Sequence, residues 1–349
     1  MTSASVDMFT ASSIMVLLLL ASIYGVTEVA EIYGGRNPDV LLERSQEVAR
    51  YILLSPGEPA GWGVKTSITP MRFGLAEEGS ERTYCLDIDK VSRLYNRSLY
   101  ALSYTEIWEA LGVDDLSFRI ELEPLFNVSL TLSSTEDLGD ETLYTFHIHT
   151  SMEGLPLEAE LRCYLVVRDY LDSKDSSTDE SGEAEVSFRL PNDFNGSALL
   201  VALARTGTPI HSFGVLHFSH RSQSPSSNGF FVTLSPLNYT LDVEANYLDE
   251  VILSTRVLTY YYNFNLTQAE DDKYSIPRLL DPSPMILIVT GLNGTEYFAE
   301  WVTYPPVPLE VGADTALECT VSGFSSLTYT VEVAGVLYRL RISLRGPGT

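Results

Sequence analysis

Basic residues are scarce in this chain: 22 Lys and Arg stand against 47 Asp and Glu, a formal charge of -25. Such a surface repels phosphate backbones, which excludes nucleic acid as a partner, while the excess charge keeps an exposed protein soluble. Cysteine is scarcer still. Cys85, Cys163 and Cys319 lie far apart, each inside an apolar strand-like stretch, and no C-x-x-C pair is present. At most one disulfide can form, so the fold must rest on hydrophobic cores, which 349 residues readily supply. Nucleophile and phosphate-binding signatures are also missing: there is no G-x-S-x-G, H-E-x-x-H, P-loop or G-x-G-x-x-G. Their absence lowers the odds of an enzyme without excluding a site built from distant residues.

Long uncharged apolar runs are absent with one exception, Met8 to Thr27 (MFTASSIMVLLLLASIYGVT). Twenty residues at about 1.5 Å rise span roughly 30 Å, the thickness of a hydrocarbon core. The sequence therefore predicts an N-terminal transmembrane helix within residues 1–33, with membrane lipid as its partner. Two signals disagree on sidedness. Arg36, Arg44 and Arg50 follow the segment and no base precedes it, which favours a cytoplasmic body. Against this stand six N-x-S/T sequons, at Asn96, Asn127, Asn195, Asn238, Asn265 and Asn293, among eleven asparagines. Roughly two would arise by chance, so the excess favours a glycosylated, extracellular C-terminal ectodomain on a single-pass anchor.

Beyond the anchor, Gly34-Gly35 interrupts the helix and Asn37-Pro38 restarts it. Leu41, Val48, Tyr51 and Ile52 then fall on one side, so residues 34–56 read as an amphipathic stalk. Residues 57–155 mix helix and strand signals: Ser103 and Glu106 have capping-box spacing with Gly112 just past the helix end, and Phe118, Ile120 and Leu122 alternate. Residues 156–222 alternate more cleanly, from Leu157 to Val167 and from Ala184 to Leu190, around an acidic Ser-rich loop at 169–182. With the continuous apolar run Ala198 to Ala204 they predict an Ig-like β-sandwich. A linker of SQSPSSN composition at 222–228 introduces residues 223–349, an antiparallel β domain with a turn at Ala334-Gly335. The fold class is thus mainly β, with an α+β membrane-proximal domain; no long internal repeat is visible.

Several stretches carry a family resemblance: SPGEPAGWG at 55–63, FGLA at 73–76, YCLDIDKVSRL at 84–94, LSYTEIWEALGV at 102–113 and FRIELEPLFNVSLT at 118–131. Together they resemble the membrane-proximal region of archaeal pilin-like surface proteins, which have one N-terminal hydrophobic helix, often a class III signal or type IV pilin-like segment, and a β-rich ectodomain. The resemblance covers about the first 155 residues, and TDESGEAEVSFRLP at 178–191 is also similar to the strand-turn-strand of Ig-like and carboxypeptidase-regulatory-like modules, a common pattern. A class III signal carries bases before its cleavage point, and none is present here. Asp7 would be fifth in a mature chain starting at Ser3, where a neighbour's amine would pair it in lipid; an ordinary residue at the membrane surface is the plainer reading. Ala21 and Gly25, four apart, would let copies of the helix approach closely.

Candidate site chemistry is thin. His147 and His149 share a strand face, and His217 and His220 are three apart, but no further ligand stands near either pair in sequence. Asp87 and Asp89 suit a helix cap better than a cation site. Asp172, Asp175, Asp179, Glu180 and Glu183 form the densest carboxylate group without calcium-loop spacing. Tyr260, Tyr261, Tyr262, Trp301 and Tyr304 are the richest aromatic group and read first as strand packing. The expectation is a non-enzymatic, membrane-anchored surface protein without cofactor or metal, structural or adhesive in role, a pilin-like subunit or display module in contact with its own copies or other surface proteins. The alternative is an anchored solute-binding or accessory hydrolase ectodomain.

Overall fold

The computed structural model describes Met15 and residues 38–113, 116–207, 209–222, 228–313 and 324–345. The apolar segment 8–27 (Met15 apart), Cys319 and most of the linker at 222–228 lie outside the described residues, and no helix among those described is long and apolar enough to cross a membrane. The chain is mainly β, and its described strands form five sheets.

In chain order, the first elements are α1 (Pro38–Leu54), β1 (Cys85–Leu86), α2 (Ile88–Ser92), α3 (Tyr104–Leu111) and β2 (Ser117–Pro124). Eight strands follow: β3 (Asn127–Asp137), β4 (Glu141–Met152), β5 (Leu155–Pro156), β6 (Glu160–Val167), β7 (Tyr170–Ser177), β8 (Glu183–Pro191), β9 (Gly196–Gly207) and β10 (Ile210–His220). The next eight are β11 (Val232–Leu237), β12 (Thr240–Ala245), β13 (Glu250–Leu258), β14 (Asn263–Asn265), β15 (Thr267–Glu270), β16 (Lys273–Ser275), β17 (Met285–Asn293) and β18 (Glu296–Tyr304). Finally β19 (Leu309–Gly312), β20 (Phe324–Val333) and β21 (Val336–Arg345) return to the beginning.

That return groups the chain differently from a reading by composition. Sheet I has the order β1-β20-β21-β2-β19, so the last strands complete the α+β domain and do not extend the preceding sandwich. β3 and β4, placed by composition with the α+β segment 57–155, pair instead with each other and with β8 in sheet II. The Ala334-Gly335 turn lies where the sequence puts it, with both residues at positive φ joining β20 to β21. Helix α1 is not a free stalk. Its Ser45, Ala49, Ile52 and Leu53 are buried, and the apolar ones belong to the core under sheet I, while Tyr51, read as part of the apolar side, is exposed. The capping box of Ser103 and Glu106 and the left-handed Gly112 bound α3 as expected.

The stretch 169–182, read as an acidic loop, is largely the edge strand β7. Its polar side chains suit an edge with one solvated side, and Asp175 pairs across the ladder with Arg162 at 2.7 Å.

Two sandwiches occupy residues 126–304. In the first, sheet II (β3-β4-β8, with β5 on β4) packs on sheet III (β10-β9-β6-β7) around Phe146, Phe188, Cys163 and Leu200. In the second, sheet V (β11-β12-β16-β15) packs on sheet IV (β14-β13-β17-β18) around Phe231, Leu241, Val257 and Leu287. Counted from its first strand, each sandwich has the same order, first-second-fifth against last-sixth-third-fourth, once β5 and β15 are set aside. This structural repeat has no counterpart visible in the sequence.

Sheets III and IV also pack against each other. Leu199, Val201 and Leu203 of β9 meet Ile286 and Ile288 of β17 and Ala299 of β18, while Ala198, Leu200, Ala202 and Ala204, of the opposite parity, face sheet II. A strand buried on both faces needs apolar residues at every position, which is why 198–204 and 285–289 read as continuous runs. The four sheets therefore stack in the order II, III, IV, V.

Candidate functional site

The joint between sheets III and IV has an apolar centre and a polar rim. The Tyr164 hydroxyl donates to the Thr259 carbonyl at 3.0 Å, Arg256 Nη2 to the Asp169 carbonyl at 2.6 Å, and Thr290 Oγ1 to the Arg168 carbonyl at 2.8 Å. The Arg168 guanidinium lies 4.2 Å from the centre of the Tyr297 ring. The Tyr164 bond is buried and gains from the exclusion of water, while the bonds of Arg256 and Thr290 lie at the wetter rim, and together with the apolar centre they hold the two sandwiches as one body.

A second joint ties the α+β domain to the second sandwich. Asp87 caps α2 by accepting from the backbone N–H groups of Asp89 and Lys90, as its spacing predicts. Asp89 points the other way, where its Oδ1 accepts from the Tyr304 hydroxyl and the Asn238 backbone N–H, each at 2.6 Å. Burial pushes the Asp89 carboxyl up, although both hydrogen bonds pull it partly back. Nearby, the buried Glu300 carboxylate accepts from the backbone N–H groups of Phe230, Phe231 and Val232 at 2.7–3.2 Å. Burial raises its pKa as well, against those bonds.

These shifts set a pH dependence. Asp89, Asp242, Glu250 and Glu300 are all raised by burial, so the folded chain takes up protons at a higher pH than the unfolded chain, whose carboxylates titrate near 4. Their contribution is fully present below that unfolded value and is lost as pH rises through the folded values. Glu106, lowered by the Ser103 backbone and hydroxyl, and Asp179, lowered by Ser181, act oppositely and lose their contribution as pH falls below about 4. His211 and His220, whose pKa values burial lowers, oppose the carboxylates between about pH 5 and about pH 8. The carboxylate contribution is therefore read as a difference: Glu300→Gln should lose less stability than the parent as pH rises from about 5 to about 8, and equal pH dependence of the two by calorimetry would contradict it.

The aromatic group separates. Tyr304 is buried at the second joint and Trp301 is half-buried in the first, so both pack as the sequence reading expects. Tyr261, Tyr262 and Phe264 remain exposed around the turn from β13 to β14, with Tyr262 and Phe264 stacked at 5.8 Å. Arg205 lies over the Tyr260 ring at 4.4 Å and pairs with Glu160.

The six sequon asparagines fall at strand ends and turns. Asn96, Asn127, Asn195, Asn238 and Asn265 are exposed and Asn293 is half-buried, at the end of β17. The carboxylate group disperses: Asp172 bonds the Ser173 backbone, Asp175 pairs with Arg162, and Asp179 caps the turn to Glu183. Of the histidines, His220 is buried between Tyr144 and the Pro191 carbonyl, with burial lowering its pKa. His147 and His149 stand on the outer face of sheet II, where Glu183 of β8 meets both rings. That third partner is invisible in sequence because it arrives from another strand. Among the described residues, no group of three or more His, Cys, Asp or Glu side chains is placed to hold a metal ion.

No family model matches the chain, and no curated protein matches it. Among solved structures, HBP35 of Porphyromonas gingivalis is similar at a TM-score of 0.19 and 12% identity, over 57% of this chain and 67% of that one. Human GIVD cytosolic phospholipase A2 gives 0.16 and 9% identity, over 66% of this chain and 33% of that one. TM-scores this low carry no argument about fold or activity.

Proposed function

We propose that the chain is a membrane-anchored cell-surface protein whose stacked sandwiches form a rigid, glycosylated structural or adhesive body. The observation that carries this reading is the apolar joint between sheets III and IV, which makes one continuous four-layer unit from two sandwiches. Such a unit holds its outer faces at a fixed distance, the property required of a spacer or display module. The shared strand order supports reading both sandwiches as Ig-like. Sequons at strand ends suit bulky sugars, which a packed interior does not accept. The packing of α1 against the sheet supports a pilin-like layout, in which residues 8–27 continue the chain into lipid.

The test is protease shaving of intact native cells combined with the mass of the released fragment. Release from the outside, with mass above that of the bare polypeptide, is expected. Protection of the body in intact cells, together with a bare mass, would refute the exterior location.

A further inference from the structure

We propose that the rings exposed at the turn from β13 to β14, with Arg205 of β9 and Glu160 of β6 beside them, form a binding site for a neutral hexopyranose saccharide. Tyr261, Tyr262 and Phe264 are 42–50% exposed. The rings follow one another around the turn, with centres 5.1 Å apart from Tyr260 to Tyr261, 6.3 Å from Tyr261 to Tyr262 and 5.8 Å from Tyr262 to Phe264. A contiguous aromatic surface left in water and rimmed by polar groups marks a binding site. The proposal rests on the adhesive reading for its setting alone: it is tested by binding in solution, so its failure leaves the exterior location to be decided separately by shaving of cells.

The turn that carries the rings is fixed by its own hydrogen bonds. Asp281 Oδ2 accepts from the Thr259 hydroxyl at 2.6 Å and from the Tyr261 backbone N–H at 3.3 Å, while Ser283 Oγ accepts from the Tyr260 N–H at 3.0 Å. The Thr259 N–H donates to the Tyr262 carbonyl at 2.8 Å and closes the turn. Rings held this way lose little freedom when a ligand arrives. Arg205 lies over Tyr260 at 4.4 Å and Tyr261 at 5.2 Å, with its Nη1 in contact with the Tyr261 hydroxyl and its Nε donating to Glu160 Oε2 at 2.7 Å. The pair sets N–H donors and carboxylate acceptors beside the rings and carries no net charge.

Size and chemistry then select the occupant. Three aromatic side chains of about 200 Å² each, about half exposed, offer roughly 300 Å², well short of the ~800 Å² that each partner of a stable protein complex buries. A hexopyranose fits that area. Its C–H face lies against a ring, and its rim of hydroxyls both donates and accepts, as an Arg–carboxylate pair requires. On a chain of charge -25 an acidic sugar is repelled, and the self-neutralised pair suits a neutral one.

The experiment presents the full chain, in a detergent without a sugar headgroup, to an array of neutral hexose and uronic-acid oligosaccharides, and calorimetry then gives the affinity for the sugar retained. Neutral oligosaccharides should bind and the acidic ones should not. Tyr262→Ala, Phe264→Ala and Arg205→Gln should each weaken binding about tenfold, whereas Tyr247→Ala, exposed between β12 and β13, should leave it unchanged. Circular dichroism of the four variants should match that of the parent. Repeating the array after enzymatic removal of the chain's own sugars separates two sources: binding that appears only then marks a glycan carried by a copy of this chain, and unchanged binding marks a foreign one. No sugar bound by the parent before or after that removal, equal binding by all folded variants, or self-association that Tyr262→Ala abolishes in place of sugar binding would overturn the proposal.

Discussion

Val201→Asp is expected to destabilise the chain by about 4 kcal/mol or more, because it places an unpaired carboxylate in a water-free joint. Val201 is fully buried between sheets III and IV, among side chains that offer no cation. Leu253→Asp provides the control. Leu253 is 44% exposed on β13, and its replacement should change stability by no more than about 0.5 kcal/mol. Urea unfolding of both variants decides the matter. Equal, small effects would mean that the sandwiches do not depend on their shared face.

Gly74→Ala should cost about 3 kcal/mol or more, although it adds a single methyl group. A Cβ at Gly74 would lie 2.3 Å from the Ser55 carbonyl oxygen and 2.7 Å from the Gly57 nitrogen, both backbone atoms that cannot swing aside. The same crossing lets Trp62 Nε1 donate to the Gly74 carbonyl at 3.2 Å. Arg93 then locks the region from beneath, its Nη1 donating to the carbonyls of Trp62 and Ile68. Gly61→Ala is the comparison within the same segment, since nothing lies within 4 Å of its added Cβ. It should leave the urea midpoint almost unchanged, and a matching loss at Gly61 would show that composition, not the backbone crossing, sets the cost.

Much of the secondary structure is legible in the sequence because alternation has a local cause. Phe118, Ile120 and Leu122 face a core and their neighbours do not, and Ser103 with Glu106 caps a helix through its own backbone. Partnership between distant strands is not legible. Nothing near Leu309 reveals that it pairs with Leu122, and the apolar runs at 198–204 and 285–289 indicate two buried faces without naming what covers them. The polar strand β7 escapes a search for alternation because an edge needs no apolar face toward solvent. Glu183 reads as part of an acidic loop, and only the ladder between β4 and β8 brings it to His147 and His149.

Because β19 pairs with β2, the chain leaves the α+β domain at Pro124 and re-enters it at Leu309, on adjacent strands of one sheet. The stacked sandwiches therefore hang from two covalent tethers rather than one. A pull on their outer layers divides between both, and a single cleavage in either leaves the other intact.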